Sequence, residues 1–392
     1  MTLEEIRKKI DAIDAQLLPL FEARMDCARE VAAVKKEAGL PVLNPEREKA
    51  ILDRVAEQAG DYAGAARVLY STLMEVSRGL QHGLLDSGAP LRALVAEAKP
   101  LPEQVGRIAT FGRPGSFSHA AAQRLFPGCT PITFNSFSEI FRAVESGNAE
   151  FGVLPVENSS AGSVGEVYDL ILQFRYFIVG AATLGVHHCL AARPGAAPVR
   201  VYSHPQALAQ CSERIAALHL QPVPCETTSE SAFTAAQEAD AAAICSEEAA
   251  LSAGLTILER GIQNTENNCT RFIVISRTLF LPTDADKISL CFSLPHQTGS
   301  LHAVLSRFAQ AGLNLTKIES RPIPGRRFEY DFYLDFTGNV QDPDTLTLLA
   351  SLSAELPRFS FLGNYTEREQ CDIIKTENVS FRFFIFHFRK FR

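Results

Sequence analysis

Residues 3 to 38 space their apolar side chains by threes and fours, so Leu3, Ile6, Ile10, Ile13, Leu17, Leu20 and Val31 form one stripe along a helix. Two cations interrupt it. At about 100° per residue, Arg24 and Lys35 lie within roughly 20° of the centre of the stripe. A cation on such a face either snorkels to water or meets an anion, because burial without a partner costs several kcal/mol. Arg24 and Lys35 stand about three turns apart, ~16 Å along the axis, and two side chains that each reach ~6 Å can converge on one small dianion. Arg7 lies ~26 Å from Arg24 on the same rod. It is either a surface residue or part of a second copy of the site on a partner helix.

The run Asn44-Pro45-Glu46-Arg47-Glu48 reads as an N-cap, a first-turn proline and an acidic first turn, predicting a second helix that presents Arg47 and Glu48. A third helix is predicted from Tyr62 to Leu85, with Leu69, Leu73, Val76, Leu80 and Leu84 as its buried edge. Ser77 and Gln81 are four residues apart and share a face beside the cations. This set of Arg7, Arg24, Lys35, Arg47, Glu48, Ser77 and Gln81 on three helices resembles the all-helical class of chorismate mutase. The resemblance implies an intertwined dimer in which arginines clamp the two carboxylates of chorismate, with Arg7 lent by the other subunit. It further implies that Lys35 and Gln81 bond the breaking ether oxygen while Glu48 holds the ring hydroxyl. Asn44 stands where the family commonly has aspartate, and a tuned affinity is expected from that change.

The chain has 392 residues, 46% hydrophobic, and no apolar stretch near ~20 residues, so two or three soluble domains and no membrane span are expected. The first residues read as a charged amphipathic helix with no signal-peptide core, and a cytoplasmic protein is expected. Nine cysteines are scattered without a C-x-x-C, so neither a disulfide framework nor a zinc site is expected. A net charge of -7 argues against nucleic acid as a partner. His187 and His188 are adjacent in an apparent strand and point to opposite faces, a poor metal pair. No cofactor or metal is expected.

Residues 1–88 thus form an all-helical domain, and 89–106, with Pro90, Pro100 and Pro102, read as a linker. From 107 to 282 short apolar runs alternate with helical patterns. Strands are predicted at 108–111, 132–134, 151–155, 177–183, 199–202, 241–244 and 272–275, which argues an α/β domain with mostly parallel pairing. Four strand-to-helix turns collect small polar residues: Gly112 to His119 with Ser116 and Ser118, Glu157 to Ser163, Ser203-His204-Pro205-Gln206, and Thr227 to Ser231. Such turns are either simple caps or a carboxylate-binding cleft. There is no G-x-G-x-x-G after the first strand, no Walker loop and no Ser-His-Asp signature.

Asn267-Asn268-Cys269-Thr270-Arg271-Phe272 runs into Ile273-Val274-Ile275 and sets Thr270 at the mouth of a buried strand. With the Glu157-Asn158 and Ser203-His204-Pro205-Gln206 motifs, this segment resembles prephenate dehydratase. The resemblance implies two lobes of the periplasmic-binding-protein type closing on prephenate. Thr270 is then the proton donor or hydrogen-bond partner of the departing ring oxygen, and Glu157, Asn158, Ser203 and Gln210 are further site candidates. Arg271 either orients a substrate carboxylate or braces the loop.

Residues 285–368 follow the order βαββαβ, a ferredoxin-like α+β unit. Gly299-Ser300-Leu301-His302 and Glu319-Ser320-Arg321-Pro322 resemble the two motifs of the regulatory ACT domain. They imply, with Asn314, a phenylalanine site at a subunit interface; His302 departs from the family's usual aliphatic residue. The tail 369–392, rich in phenylalanine and cations, is expected to be an appendage without a catalytic role. The resemblances together imply a bifunctional homo-oligomer, at least a dimer, that takes chorismate through prephenate to phenylpyruvate and is inhibited by phenylalanine. An arogenate dehydratase and a catalytically dead amino-acid sensor are the alternatives.

Overall fold

The computed structural model describes residues 2–370 other than 266, 298, 324 and 327, so all but the first two residues of the expected tail lie outside the described residues. α1 (Leu3–Ala38) opens with a reciprocal capping box between Thr2 and Glu5 and stops where Gly39 turns left-handed at φ 63°. α2 (Pro45–Ala59) begins as predicted, with the Asn44 side chain accepting from the Arg47 amide at 3.0 Å. α3 (Ala63–Leu84) packs against both. The first half of α1 departs from expectation: Ile6, Ile10, Ile13, Leu17 and Leu20 are 40, 50, 56, 54 and 67% exposed. Leu69 and Leu84 on α3 are exposed as well. A stripe this apolar needs cover that a single chain does not supply.

The expected linker holds α4 (Ala89–Ala96), whose Leu91 is buried in the core of the third domain. Pro90 marks the start of this helix instead of a loop, because no intrahelical amide is needed in the first turn. Gly88 precedes it at φ +74°, where an added Cβ would meet the Ala350 carbonyl oxygen at 2.5 Å.

The next 170 or so residues make two α/β lobes. The first lobe contains β1 (Arg107–Phe111), α5 (Phe117–Leu125), β2 (Thr130–Phe134), α6 (Phe137–Glu145), β3 (Phe151–Asn158), β4 (Gly162–Ser163), α7 (Gly165–Phe174) and β5 (Phe177–Gly185). The chain then crosses to the second lobe. This has β6 (Cys189–Ala192), β7 (Arg200–Ser203), α8 (Pro205–Gln210), α9 (Ser212–Ala217), β8 (Gln221–Pro224), α10 (Thr228–Ala235), β9 (Ala241–Cys245), α11 (Glu247–Ser252) and β10 (Thr256–Arg260). It returns as β11 (Cys269–Ser276), which inserts antiparallel between β3 and β5. Pairing is therefore mixed and not mostly parallel: β1 runs parallel to β2 and β3, and the returning strand enters from the opposite direction. Of the strands missed from sequence, β8 is an edge strand carrying Pro222 and Pro224, which an edge tolerates, and β6 is four short residues. His187 and His188 lie between β5 and β6, in no strand.

The third domain has the predicted order, β12 (Lys287–Ser293), α12 (Ser300–Gln310), β13 (Leu315–Pro322), β14 (Tyr330–Thr337), α13 (Pro343–Glu355) and β15 (Ser360–Tyr365), in a sheet ordered β13-β14-β12-β15. β16 (Glu367–Gln370) then leaves it and pairs parallel with β5, so 369 and 370 belong to a strand and not to the tail. Cys291, Tyr333, Leu362 and Tyr365 share one core with Phe141, Leu154 and Ile273 of the first lobe. Among the described residues no helix is long and apolar enough to cross a membrane, and no cluster of three His, Cys, Asp or Glu is placed to hold a metal.

Arg271 belongs to this seam. Its guanidinium meets Asp335 at 2.6 Å, Glu367 at 2.5 Å and the Tyr365 hydroxyl at 2.7 Å. Adjacent residues on a strand face opposite sides, so Thr270 and Arg271 diverge, and the Arg271 guanidinium is engaged with the third domain. Arg271→Ala leaves Asp335 and Glu367 buried without their guanidinium, which should cost about 3–5 kcal/mol. A lowered thermal midpoint is the expected readout; an unchanged one would remove the seam from the stability of the chain.

Candidate active sites

Three helices close a pocket of about 260 Å³ in the first domain, lined by Arg24, Lys35, Asn44, Arg47, Glu48, Ser77, Arg78 and Gln81. The two cations of the α1 stripe therefore do converge. Arg24 Nη1 donates to the Leu73 carbonyl at 3.0 Å and Lys35 Nζ to the Val42 carbonyl at 2.5 Å, which aims both heads inward from α1. Burial lowers the Lys35 ammonium from its ordinary range, with Glu48 opposing the shift. Gln81 Nε2 donates to Ser77 Oγ at 3.3 Å, while its Oε1 is buried without a partner among the described residues. A half-turn of the amide exchanges the two and presents a donor instead. Arg7 is exposed and does not line this pocket. Arg78, which the sequence reading passed over, holds both carboxylate oxygens of Glu48 through Nη1 at 2.5 and 2.6 Å.

The second constellation lies where the two lobes meet. Thr270 is 9% exposed and sits opposite Asn158 in the β11–β3 register. Its Oγ1 accepts from Asn158 Nδ2 at 2.9 Å, which leaves the hydroxyl proton free to donate. Asn158 is held on every side. Nδ2 also donates to Asn268 Oδ1 at 2.8 Å and the Cys269 carbonyl at 3.1 Å, and Oδ1 accepts from the Ser160 and Ala161 amides at 3.0 Å each. From the other lobe, Gln206 Nε2 reaches Asn158 Oδ1 at 3.2 Å. Asn158 is thus hydrogen-bonded through both atoms of its amide, one of those bonds going to Thr270. Gln206, part of the Ser203-His204-Pro205-Gln206 motif, joins this constellation only through the contact between the lobes.

Several other candidates are spent on backbone. Ser203 is fully buried with its hydroxyl donating to the Ile244 carbonyl at 2.6 Å. Ser116 donates to the Phe111 carbonyl at 2.9 Å and caps α5 at the His119 amide, so its side chain serves the helix. Ser118 is buried in the first turn of the same helix. Glu157 pairs with Lys317 of the third domain at 3.0 Å. Gln210 Oε1 accepts from Asn268 at 3.0 Å and His188 Nε2 at 3.2 Å, one shell behind Asn158.

His188 is buried beside Gln210. Burial holds its imidazole down to about 4. An unfolded histidine takes its proton near pH ~6.5, so between there and about 4 the unfolded chain binds the extra proton. Stability therefore falls as pH drops through this window, by up to roughly 3 kcal/mol. His188→Asn should flatten the acid limb of urea midpoints measured from pH ~7 to ~4; parallel curves would assign that limb to other groups.

In the third domain the effector candidates divide. Gly299, at φ +87°, with Ser300, Leu301 and His302 opens α12, and the Asn314 carbonyl accepts from the Thr337 amide at 2.9 Å. Glu319 accepts from Ser163 Oγ, and Arg321 pairs with Asp169 at 2.8 Å. On β13 Ser320 and Pro322 alternate with them. Within one chain, Glu319 and Arg321 are engaged with the first α/β lobe.

Residues 6–82 match the chorismate mutase type II family and residues 108–279 the prephenate dehydratase family. The chain is 30% identical over 371 residues to a bifunctional chorismate mutase/prephenate dehydratase from Aquifex aeolicus, covering 93% of this chain and 97% of that protein. It is 37% identical to an Arabidopsis thaliana arogenate dehydratase/prephenate dehydratase over 78% of this chain and 81% of the other. A prephenate dehydratase from Arthrobacter aurescens, solved in complex with L-Phe, superposes with a TM-score of 0.61 at 32% identity, over 70% of this chain and 92% of that one. A mutase pocket on three helices, a threonine at the junction of two lobes and a full-length relative agree, and the chain belongs to the bifunctional chorismate mutase/prephenate dehydratase family.

Proposed function

We propose that the α1–α3 pocket rearranges chorismate to prephenate and that Thr270 drives loss of water and carbon dioxide from prephenate to give phenylpyruvate. The observation that carries the first half is the convergence of Arg24, Lys35, Arg47 and Glu48 on one pocket. The mutase reaction transfers no proton. The cations hold the two carboxylates so that the reacting carbons meet, Lys35 and Gln81 stabilise charge on the ether oxygen, and Glu48 accepts from the ring hydroxyl. A second copy of the chain lays its own apolar α1 stripe along the exposed half of this one and brings Arg7 to the pocket. The uncovered Ile6, Ile10, Ile13 and Leu17 favour that pairing.

In the dehydratase step the C–O bond to the ring hydroxyl breaks as the ring carboxylate leaves as carbon dioxide, whose bonding pair completes the aromatic ring. Thr270, with its oxygen already accepting from Asn158, gives its proton to the departing oxygen, which leaves as water, and regains a proton from solvent. The third domain acts as an ACT domain whose phenylalanine site inhibits this step. Lys317 on β13 touches Glu157, one residue from Asn158, and gives that inhibition a short physical route. Both reactions run in the cytoplasm without metal or cofactor.

Purified protein given chorismate alone should yield phenylpyruvate, read by absorbance in alkali, and less of it when phenylalanine is added. Prephenate that accumulates unconsumed, with turnover of arogenate instead, would overturn the dehydratase assignment.

A further inference from the structure

The mutase pocket does not end at its own domain. Arg78, which grips Glu48, also directs Nε toward Glu355 at the end of α13, 3.6 Å away. Glu355 is in turn held by His82 Nε2 at 2.5 Å and Arg307 Nη1 at 2.8 Å, and Arg307 also donates to Ser351. Every member of this chain of polar groups is shielded: the side chains of Arg78, His82, Arg307 and Glu355 are 12, 3, 8 and 8% exposed. Arg307 lies on α12, the helix that opens with Gly299-Ser300-Leu301-His302. Glu75 on α3 is also buried, and its carboxyl feels Arg78, Arg307 and His302.

We propose that Arg78 is a positioning residue of the mutase reaction and that Glu355 of the third domain sets how strongly Arg78 engages Glu48. This rests on the reading of Glu48 as the partner of the substrate hydroxyl. The argument is a competition of charges in one pocket. Glu48 has two cations to choose from, Arg78 in contact and Lys35 across the pocket. While Arg78 holds the carboxylate, the Lys35 ammonium is left for the ether oxygen. Without Arg78, the carboxylate turns to Lys35 and takes that ammonium out of the reaction. Glu355 has its own anchors in Arg307 and His82, so it is a fixed anion that draws part of the Arg78 charge away from Glu48. Neutralising it leaves the charge of Arg78 undivided on Glu48, which weakens the carboxylate as an acceptor for substrate. A shift of α12 moves Arg307 and hence this anion, so a ligand at the start of α12 is read in the mutase pocket.

The test uses the full-length chain, with chorismate loss and prephenate turnover measured separately for Glu48→Gln, Arg78→Ala, Arg78→Lys and Glu355→Gln. Arg78→Ala should lower mutase kcat about tenfold or more, and Arg78→Lys should recover most of it. Glu355→Gln, which keeps the shape, should raise the KM for chorismate about threefold with kcat within about twofold. Prephenate turnover should stay at the parental value in the Arg78 and Glu355 variants. Phenylalanine, which should alter the mutase rate of the parent, should no longer do so in Glu355→Gln. Parental mutase kinetics in both Arg78→Ala and Glu355→Gln, or loss of mutase and dehydratase together, would overturn the proposal. If Arg78→Ala does not fold, Arg78→Lys and Glu355→Gln still decide it through their KM and kcat. A fully active Glu48→Gln would instead overturn the underlying reading of the pocket.

Discussion

Thr270→Ala abolishes the conversion of prephenate to phenylpyruvate while chorismate is still rearranged at the parental rate: this is the expected result, and the geometry sets its size. Loss of a positioned proton donor costs about 10²–10⁴-fold. Here the donor is fixed by a neighbour that has no other freedom, since Asn158 makes hydrogen bonds to Asn268, the Cys269 carbonyl and the Ser160 and Ala161 amides besides the one to Thr270. Alanine keeps the strand and the register with Asn158 but removes the only hydroxyl at that point of β11. Thr270→Ser restores a hydroxyl and should recover a measurable rate. With chorismate as sole substrate the alanine variant should accumulate prephenate. Equal loss of both activities, or of neither, would sink the assignment.

Arg24→Ala should remove the mutase and leave prephenate turnover intact. Truncating one member of a desolvated, charge-assisted contact costs about 2–5 kcal/mol, so a fall of roughly 10²–10³-fold in kcat/KM is expected. Arg24 also ties α1 to the Leu73 carbonyl, so part of the loss could be mistaken for a loosened helix. Two readouts separate these causes. Arg24→Lys keeps a cation but not the planar fork and should retain only part of the activity, and prephenate turnover reports the fold of the rest of the chain. A prephenate rate that falls in step with the mutase would argue against independent sites.

What could be read along the chain differed sharply between the two sites. The mutase residues were legible because a helix converts sequence spacing directly into direction: Arg24 and Lys35 share the face of α1 that meets Ser77 and Gln81. Arg78 was missed for the same reason, since one arginine beside Ser77 reads as an ordinary surface cation until Glu48 and Glu355 arrive from other elements. The dehydratase turns were visible as clusters of small polar residues, but their hydroxyl directions were not. Ser203 and Ser116 donate to backbone carbonyls, a choice set by which strand end lies within reach. Arg271 shows the limit most clearly: next to Thr270 in sequence, it is turned by the pleat toward Asp335, more than sixty residues away.

Sequence alone determined the first three helices, the βαββαβ pattern and the placement of cations within an apolar stripe, because these follow from local periodicity and capping. Only the tertiary structure decided that the expected linker is a helix docked on the third domain, that β16 completes the sheet of the first lobe, and that Glu48 and Glu355 share one arginine. Those outcomes depend on which buried charges and apolar faces meet across long separations in the chain, and no local pattern encodes that meeting.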